Sequence, residues 1–327
     1  MRYVKLLATL AGAGAIAGAL AITAQSTAPG KDGRILFQGN VGNGTQLFTI
    51  RPDGSGLTRV THVHANQGFE DGAWSNDGKM IAYSHDLRTH GRGEIARADG
   101  SHPHAITPRR FTFAGDPDWL PDGRRLVVGG LRSDPSSKGR CDSGLRLVST
   151  AGKVIRTITH ITGAPCKQEH WDVNADVSPD GTRIAFDASS PDGDAICVVG
   201  LNGHGRKCLT DRADDAAHPV WSPDGTKILF QTHHDPDRNR TGATANLFSI
   251  RPDGSDLTQI THLSGDGFYS GMGSWSPDGT QIVYHKVAPN DVDDLFLIDV
   301  DGSNERQLTH LGPEVHPGGV DWGTNQG

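Results

Sequence analysis

Two segments 200 residues apart, QLFTIRPDGSGLTRVTH from Gln46 to His62 and NLFSIRPDGSDLTQITH from Asn246 to His262, are nearly the same sequence. Weaker copies start at Glu94 (EIARADGSHPHAIT), Leu145 (LRLVSTAGKVIRTITH), Ala195 (AICVVGLNGHGRKCLT) and Leu295 (LFLIDVDGSNERQLTH), which makes six. A second motif precedes five of them: WSNDGKMIAYS at Trp74, WLPDGRRLVVG at Trp119, VSPDGTRIAFD at Val177, WSPDGTKILFQ at Trp221 and WSPDGTQIVYH at Trp275. Their starts are 45, 58, 44 and 54 residues apart. A period of this length, carrying β-branched and aromatic runs between turn signals, belongs to a radial array of small sheets. Each unit reads as four short strands, a to d, with one Asp-Gly turn between a and b and another between c and d. Glycine supplies the positive φ and aspartate bonds its own turn backbone. These aspartates therefore have a structural explanation. So does DVDGSN from Asp299, which starts like a calcium loop but lacks the later glutamate.

The ends of the chain complete the count. KDGRILFQ at Lys31 is an a-to-b turn and a strand b with no strand a before it, whereas GGVDWG from Gly318 to Gly323 holds the Trp of a strand a with no strand b after it. Joining Trp322 to Asp32 restores the motif and closes blade one with three N-terminal strands and one C-terminal strand. Such closure removes exposed sheet edges. The expected fold is all-β: a six-bladed β-propeller of four-stranded blades over residues 31–323.

Ahead of it, MRYVKLLATLAGAGAIAGALAITA places Arg2 and Lys5 before a long uncharged run, the pattern of a secretory signal over residues 1–24. Export to the periplasm, cell envelope or medium is the expectation, with no membrane span after cleavage. Without Arg2 and Lys5 the 31 basic residues fall to 29 against 38 acidic ones, and no basic block stands out. Nucleic acid is a poor partner for such a chain. A monomer is expected.

The W-x-x-DG turns and their matched c-to-d hairpins resemble the WD-like propeller repeats of the TolB family across essentially the whole mature chain. TolB carries a further α/β domain ahead of its propeller, and none is expected here, since strand b starts a few residues after the signal. The repeat is also similar to the propellers of prolyl-oligopeptidase-like enzymes. Their hydrolase domain supplies the nucleophile, and this sequence has no G-x-S-x-G elbow.

Four cysteines in an exported chain suggest two bridges. Cys197 and Cys208 flank a hairpin centred on Asn202 and Gly203, which sets them opposite each other on strands c and d of blade four. Cys141 in a b-to-c loop and Cys166 in the next d-to-a loop share a face, so the expected pairs are Cys141 with Cys166 and Cys197 with Cys208. The C-x-x-C spacing of zinc sites is absent.

The face opposite the Asp-Gly turns has longer, irregular loops, from Leu131, Thr232 and His160, and 13 of the 16 histidines. Four of these, His62, His160, His262 and His310, recur with the repeat and are expected to be structural. The position three before each motif Trp should open onto the central channel, and reads Asp71, Asp116, Asn174, His218, Met272 and Gly319. The end of strand b gives a second ring, Gln38, Ser84, Asp187, Gln231 and His285, with Gly129 in blade three. Together with His85, these groups make Asp71, Asp116, Asn174, His218, His85, Gln231 and His285 the candidate ligand-binding set. A divalent metal ion or a hydroxylated ligand suits such donors, with His218, His285, Asp71 and Asp116 as the metal candidates.

Two functions follow. The first is a non-catalytic exported scaffold that holds a protein or carbohydrate ligand at the propeller mouth. The second is a metal-assisted polysaccharide lyase or hydrolase resembling oligogalacturonate lyase, which places a histidine-bound metal at its channel mouth. That resemblance implies Lys286 or His218 as the group removing a proton beside an acidic sugar's carboxylate.

Overall fold

In the computed structural model, residues 31–325 are described, apart from 43, 63–66, 88–89, 109–110, 134–142, 162–170, 233–244, 264–268, 289–291 and 313–314. The signal over residues 1–24 and the pairing of Cys141 with Cys166 fall outside the described residues. No helix among the described residues is long and apolar enough to cross a membrane.

The chain forms six four-stranded antiparallel sheets. Blade one takes strand b from Lys31–Asn40, strand c from Thr45–Ile50 and strand d from Thr58–Arg59, and its strand a is the last of the chain, His316–Asn325. Ile35 pairs with Trp322 and Asp32 with Thr324 across this closure, as the split motif requires. Blades two to six follow in order over 68–105, 111–157, 171–208, 216–259 and 269–307. The helical content of the described residues is one 3-10 turn, Arg212–Asp214, capped by Asp211.

Near-continuous buried runs along strands b and c, such as Thr45–Ile50 and Ala195–Gly200, bury both faces of the sheets, and the core is divided accordingly. Six hydrophobic clusters form, one at each blade-to-blade interface. Between blades six and one, for example, Val283, Leu295 and Leu297 pack against Ile35, Phe37 and Trp322. Each blade is therefore stabilised by its neighbours, and the ring must close for the first and last interfaces to bury their share of apolar surface.

The Thr-His ending of the first repeat has an equally repetitive cause. The Thr that ends strand d accepts a hydrogen bond from a strand c N–H in all six blades: Leu47 to Thr61, Gly93 to Thr107, Leu145 to Thr159, Ile196 to Thr210, Leu247 to Thr261 and Leu295 to Thr309, at 2.8 to 3.0 Å. The histidines that follow, His62, His160, His262 and His310, are exposed. The structural role expected of them belongs instead to the threonine before them. Cys197 and Cys208 pair in register on strands c and d of blade four and form a disulfide, as the hairpin predicts.

Candidate functional site

Strand a of each blade lies innermost and contacts strand a of the next blade. Midway along it the backbone kinks. Register shifts fall between Glu70 and Ala73, Gly115 and Asp118, Val173 and Asp176, Ala217 and Val220, and Gly271 and Ser274. At each shift the residue three before the motif Trp or Val takes a left-handed conformation, with φ of 52° at Asp71, 48° at Asp116, 49° at Asn174, 55° at His218 and 49° at Met272. Five non-glycine residues in this region are a costly feature to repeat. The bulge turns each of these side chains into the channel.

The channel is a narrow cavity of about 120 Å³, lined in every blade by the three residues before the motif position. Asp71, Asp116, Asn174 and His218 are brought together there, with Met272 and Gly319 completing the ring. Asp71 sits against Asp116, and burial first, then the neighbouring carboxylate, pushes the Asp71 carboxyl well above the usual range. Burial likewise lowers the His218 imidazole, against the pull of Asp116 and Asp194.

The strand b ring proves to be the support for this bulge. The N–H of Asp71 donates to Gln38 Oε1 at 3.0 Å, that of Asp116 to Ser84 Oγ at 3.1 Å, that of His218 to Asp187 Oδ1 at 2.9 Å and that of Met272 to Gln231 Oε1 at 2.9 Å. Every bond joins a blade to the one after it. Blade three has Gly129 at the donor-accepting position, so the N–H of Asn174 reaches Asp116 Oδ2 at 2.8 Å instead. In blade six His285 turns elsewhere, and the Gly319 N–H lies 3.1 Å from Met272 Sδ. Asp187, which also accepts from Asn174 Nδ2, is held well above the carboxylate range by burial.

The remaining candidates lie outside the channel. His85 packs its ring against Phe69, with centroids 4.4 Å apart, and bonds Glu94 through Nδ1 at 3.1 Å. His285 bonds Asp293 through Nε2, and the other Asp293 oxygen takes the Nδ1 of His316 at 2.8 Å. Lys286 pairs with Glu305 at 2.6 Å and lies over the Phe296 ring. Thus Lys286 and His218 are not brought together. Among the described residues, no three His, Cys, Asp or Glu side chains converge as a metal-holding group. Of the metal candidates, Asp71, Asp116 and His218 line the channel, and His285 lies outside it, bonded to Asp293.

A third ring was not foreseen. One residue before the motif position stand Asp118, Asp176 and Asp321, with Ser274, Ala73 and Val220 in the other blades. Asp321 accepts the Trp74 N–H at 2.6 Å, Asp118 the Val177 N–H at 2.7 Å, and Asp176 the Trp221 N–H at 2.7 Å; Ser274 accepts that of Trp322 at 3.2 Å. Where the residue is apolar the contact inverts: the indole N–H of Trp119 donates to the Ala73 carbonyl at 3.3 Å, and that of Trp275 to the Val220 carbonyl at 3.1 Å. Burial raises Asp118 to about 7 and Asp321 to about 6 and pushes Asp176 well up, with repulsion among the three adding to the shift of Asp118 and Asp176. The signal was available in the sequence as an aspartate directly before Trp119, Val177 and Trp322.

No protein-family model matches the chain. A dipeptidyl-peptidase 5 from Porphyromonas endodontalis is 33% identical over 143 residues, a match that takes in 41% of this chain and 19% of the peptidase. The chain thus aligns with about a fifth of that relative's length. An Agrobacterium fabrum protein of uncharacterised function is 25% identical over 303 residues, 88% of each chain. Among solved structures, TolB from Acinetobacter baumannii superposes with a TM-score of 0.68 at 19% identity, covering 90% of this chain and 67% of TolB. A TolB structure from Agrobacterium tumefaciens gives 0.60 at 19% identity, covering 88% and 98%. An oligogalacturonate lyase in complex with manganese gives 0.51 at 16% identity, covering 86% and 74%. At such identities these likenesses speak for the fold. By fold, the chain is a TolB-like six-bladed β-propeller.

Proposed function

We propose that the protein is an exported binding scaffold whose long-loop face holds a protein or glycan partner around the channel mouth. One observation carries this reading. The polar side chains that would make a catalytic ring, Gln38, Ser84, Asp187 and Gln231, are committed to clipping one blade to the next. A ring clipped together in this way can serve as a scaffold for loops that carry recognition. The lyase alternative finds support in the fold it shares with oligogalacturonate lyase, but Lys286 is paired with Glu305 and is not brought to the channel that holds His218.

Site-specific photo-crosslinking separates the faces. A crosslinker replacing exposed His316 on the long-loop face should capture the partner in cell-envelope extract, whereas one replacing exposed Asp301 on the turn face should not. Capture at position 301 alone would defeat the proposal. Incubation of manganese-supplemented protein with acidic oligosaccharides should give no unsaturated product, and the appearance of one would favour the lyase.

A further inference from the structure

The opposite face holds a larger cavity, about 670 Å³, between blades one and two, whose walls include Arg34, Arg51, Arg59 and Lys79 together with Asp32, Asp77 and Asp99. Lys79 pairs with Asp77 at 3.5 Å. The three arginines have no carboxylate within ion-pairing distance among the described residues, in a chain of net charge −7.

The near-copy of this blade provides an internal control. In blade five the equivalents of Arg34 and Arg51 are Lys227 and Arg251, as the matching registers of Ile35 with Ile50 and Ile228 with Ile250 establish. There Asp256 neutralises both, at 3.6 Å from Lys227 and 3.3 Å from Arg251. In blade one the residue at the Asp256 position is Gly56. Arg59 replaces Gln259 as well, so these blade-one positions carry one more cation and one fewer carboxylate than their copies in blade five. Asp53 does not compensate, because blade five has Asp253 in the same place.

The two cations also meet where the missing carboxylate would start. A Cβ on Gly56 would lie 2.6 Å from Arg51 Nη1 and 3.4 Å from Arg34 Nη1. The Nε and Nη2 of Arg34 are engaged by Thr49, Gly56 and Thr58, which fixes the guanidinium in place and leaves Nη1 directed at this spot. Arg51 makes a long bond to Ser55, at 3.4 Å. Arg59 lies over the Phe48 ring, 5.7 Å from its centroid, at the cavity wall. Burial and the nearby Arg51 lower the Arg34 guanidinium from its ordinary value, consistent with cations held together without a counter-ion.

We propose that the Arg34, Arg51 and Arg59 pocket binds a small polycarboxylate, whose carboxylate takes the position that Asp256 fills in blade five. Forked guanidinium donors match carboxylate geometry, and a pre-positioned pair costs little ordering on binding.

Citrate, titrated calorimetrically into the full mature chain at low ionic strength, is the probe. One saturable site is expected, weakening with added salt. Gly56→Asp installs the blade-five counter-ion and should reduce affinity about tenfold or more, as should Arg51→Gln. Arg251→Gln in blade five should leave binding unchanged. The aspartate is compatible with the backbone, because Asp256 has φ 58° where Gly56 has 67°, and melting curves identify any variant that fails to fold. The proposal is overturned by the absence of saturable citrate binding, by undiminished affinity in a folded Gly56→Asp or Arg51→Gln protein, or by an equal loss in Arg251→Gln, which would mark diffuse attraction to surface charge.

Discussion

The carboxylate of Asp176 in blade four accepts the backbone N–H of Trp221 in blade five at 2.7 Å. Asp118 and Asp321 make the same bond to Val177 and Trp74, and all three acids line the one channel cavity of about 120 Å³. Three carboxylates in so confined a space cannot all ionise cheaply.

This arrangement predicts an acid-shifted stability optimum. Burial raises the folded-state values of Asp118 to about 7 and Asp321 to about 6. Between the unfolded carboxylate value near 4 and those folded values the native state binds more protons than the unfolded one, so stability falls as pH rises through this window. Turn aspartates such as Asp180, Asp224 and Asp278 are lowered by serine and threonine hydrogen bonds despite partial burial, and their contribution is lost as pH falls below about 4. Melting temperature should therefore be highest at about pH 4, and in an Asp118→Asn protein the decline toward pH 7.5 should be shallower. An unchanged decline would mean that Asp118 titrates as an ordinary carboxylate.

Removing a clip should cost more than removing an adjacent polar group that is not one. Gln231→Ala leaves the Met272 N–H without its 2.9 Å acceptor at the interface of blades five and six. A loss of about 1 to 3 kcal/mol is expected for a buried donor left unpaired, measured by urea unfolding. Replacement of exposed His262, one residue beyond the strand d threonine, should change stability by less than about 0.5 kcal/mol.

The blade-four disulfide closes a short loop, with a sequence separation of 11. Cys197→Ala combined with Cys208→Ala should lower stability by roughly 2 to 3 kcal/mol. Cys197 is fully buried in the cluster between blades three and four, so part of that loss reflects packing. Reduction of the native protein, which keeps both side chains, separates the two contributions when its melting temperature is compared with that of the double variant.

Closure can be tested at Trp322, which is 1% exposed and belongs to the cluster between blades six and one. Trp322→Ala should cost about 3 to 5 kcal/mol. Truncation before His316 deletes strand a of blade one and bares the edge at Ile35 and Phe37, and should yield aggregated protein, visible by size-exclusion chromatography. A folded, monomeric truncation product would show that the ring tolerates an open blade.

The repeat alone determined a great deal. Six copies, their turn signals and the motif divided between Asp32 and Trp322 specify the blade number, the four strands of each blade and the closing pair, because these depend on local turn chemistry and on strand periodicity. The same local logic placed Cys197 opposite Cys208. Aligning blades on the motif Trp also identified the ring of Asp71, Asp116, Asn174 and His218, since a shared sequence position becomes a shared height in the channel.

Only the tertiary structure decided what those positions do. Trp74 and Asp321 are 247 residues apart in sequence and bonded in space, and nothing local couples them. The clips run between neighbouring blades, so whether Gln38, Gln231 or Asp187 is available to a ligand depends on the backbone N–H that the next blade presents. His285 occupies a clip position yet bonds Asp293, a choice set by the side chains around it and not by its place in the repeat. The contrast between Gly56 and Asp256 is visible in the two sequences. Its meaning required the fold, which brings Arg34 from strand b beside Arg51 at the end of strand c, two guanidinium groups without the carboxylate that pairs with their copies in blade five.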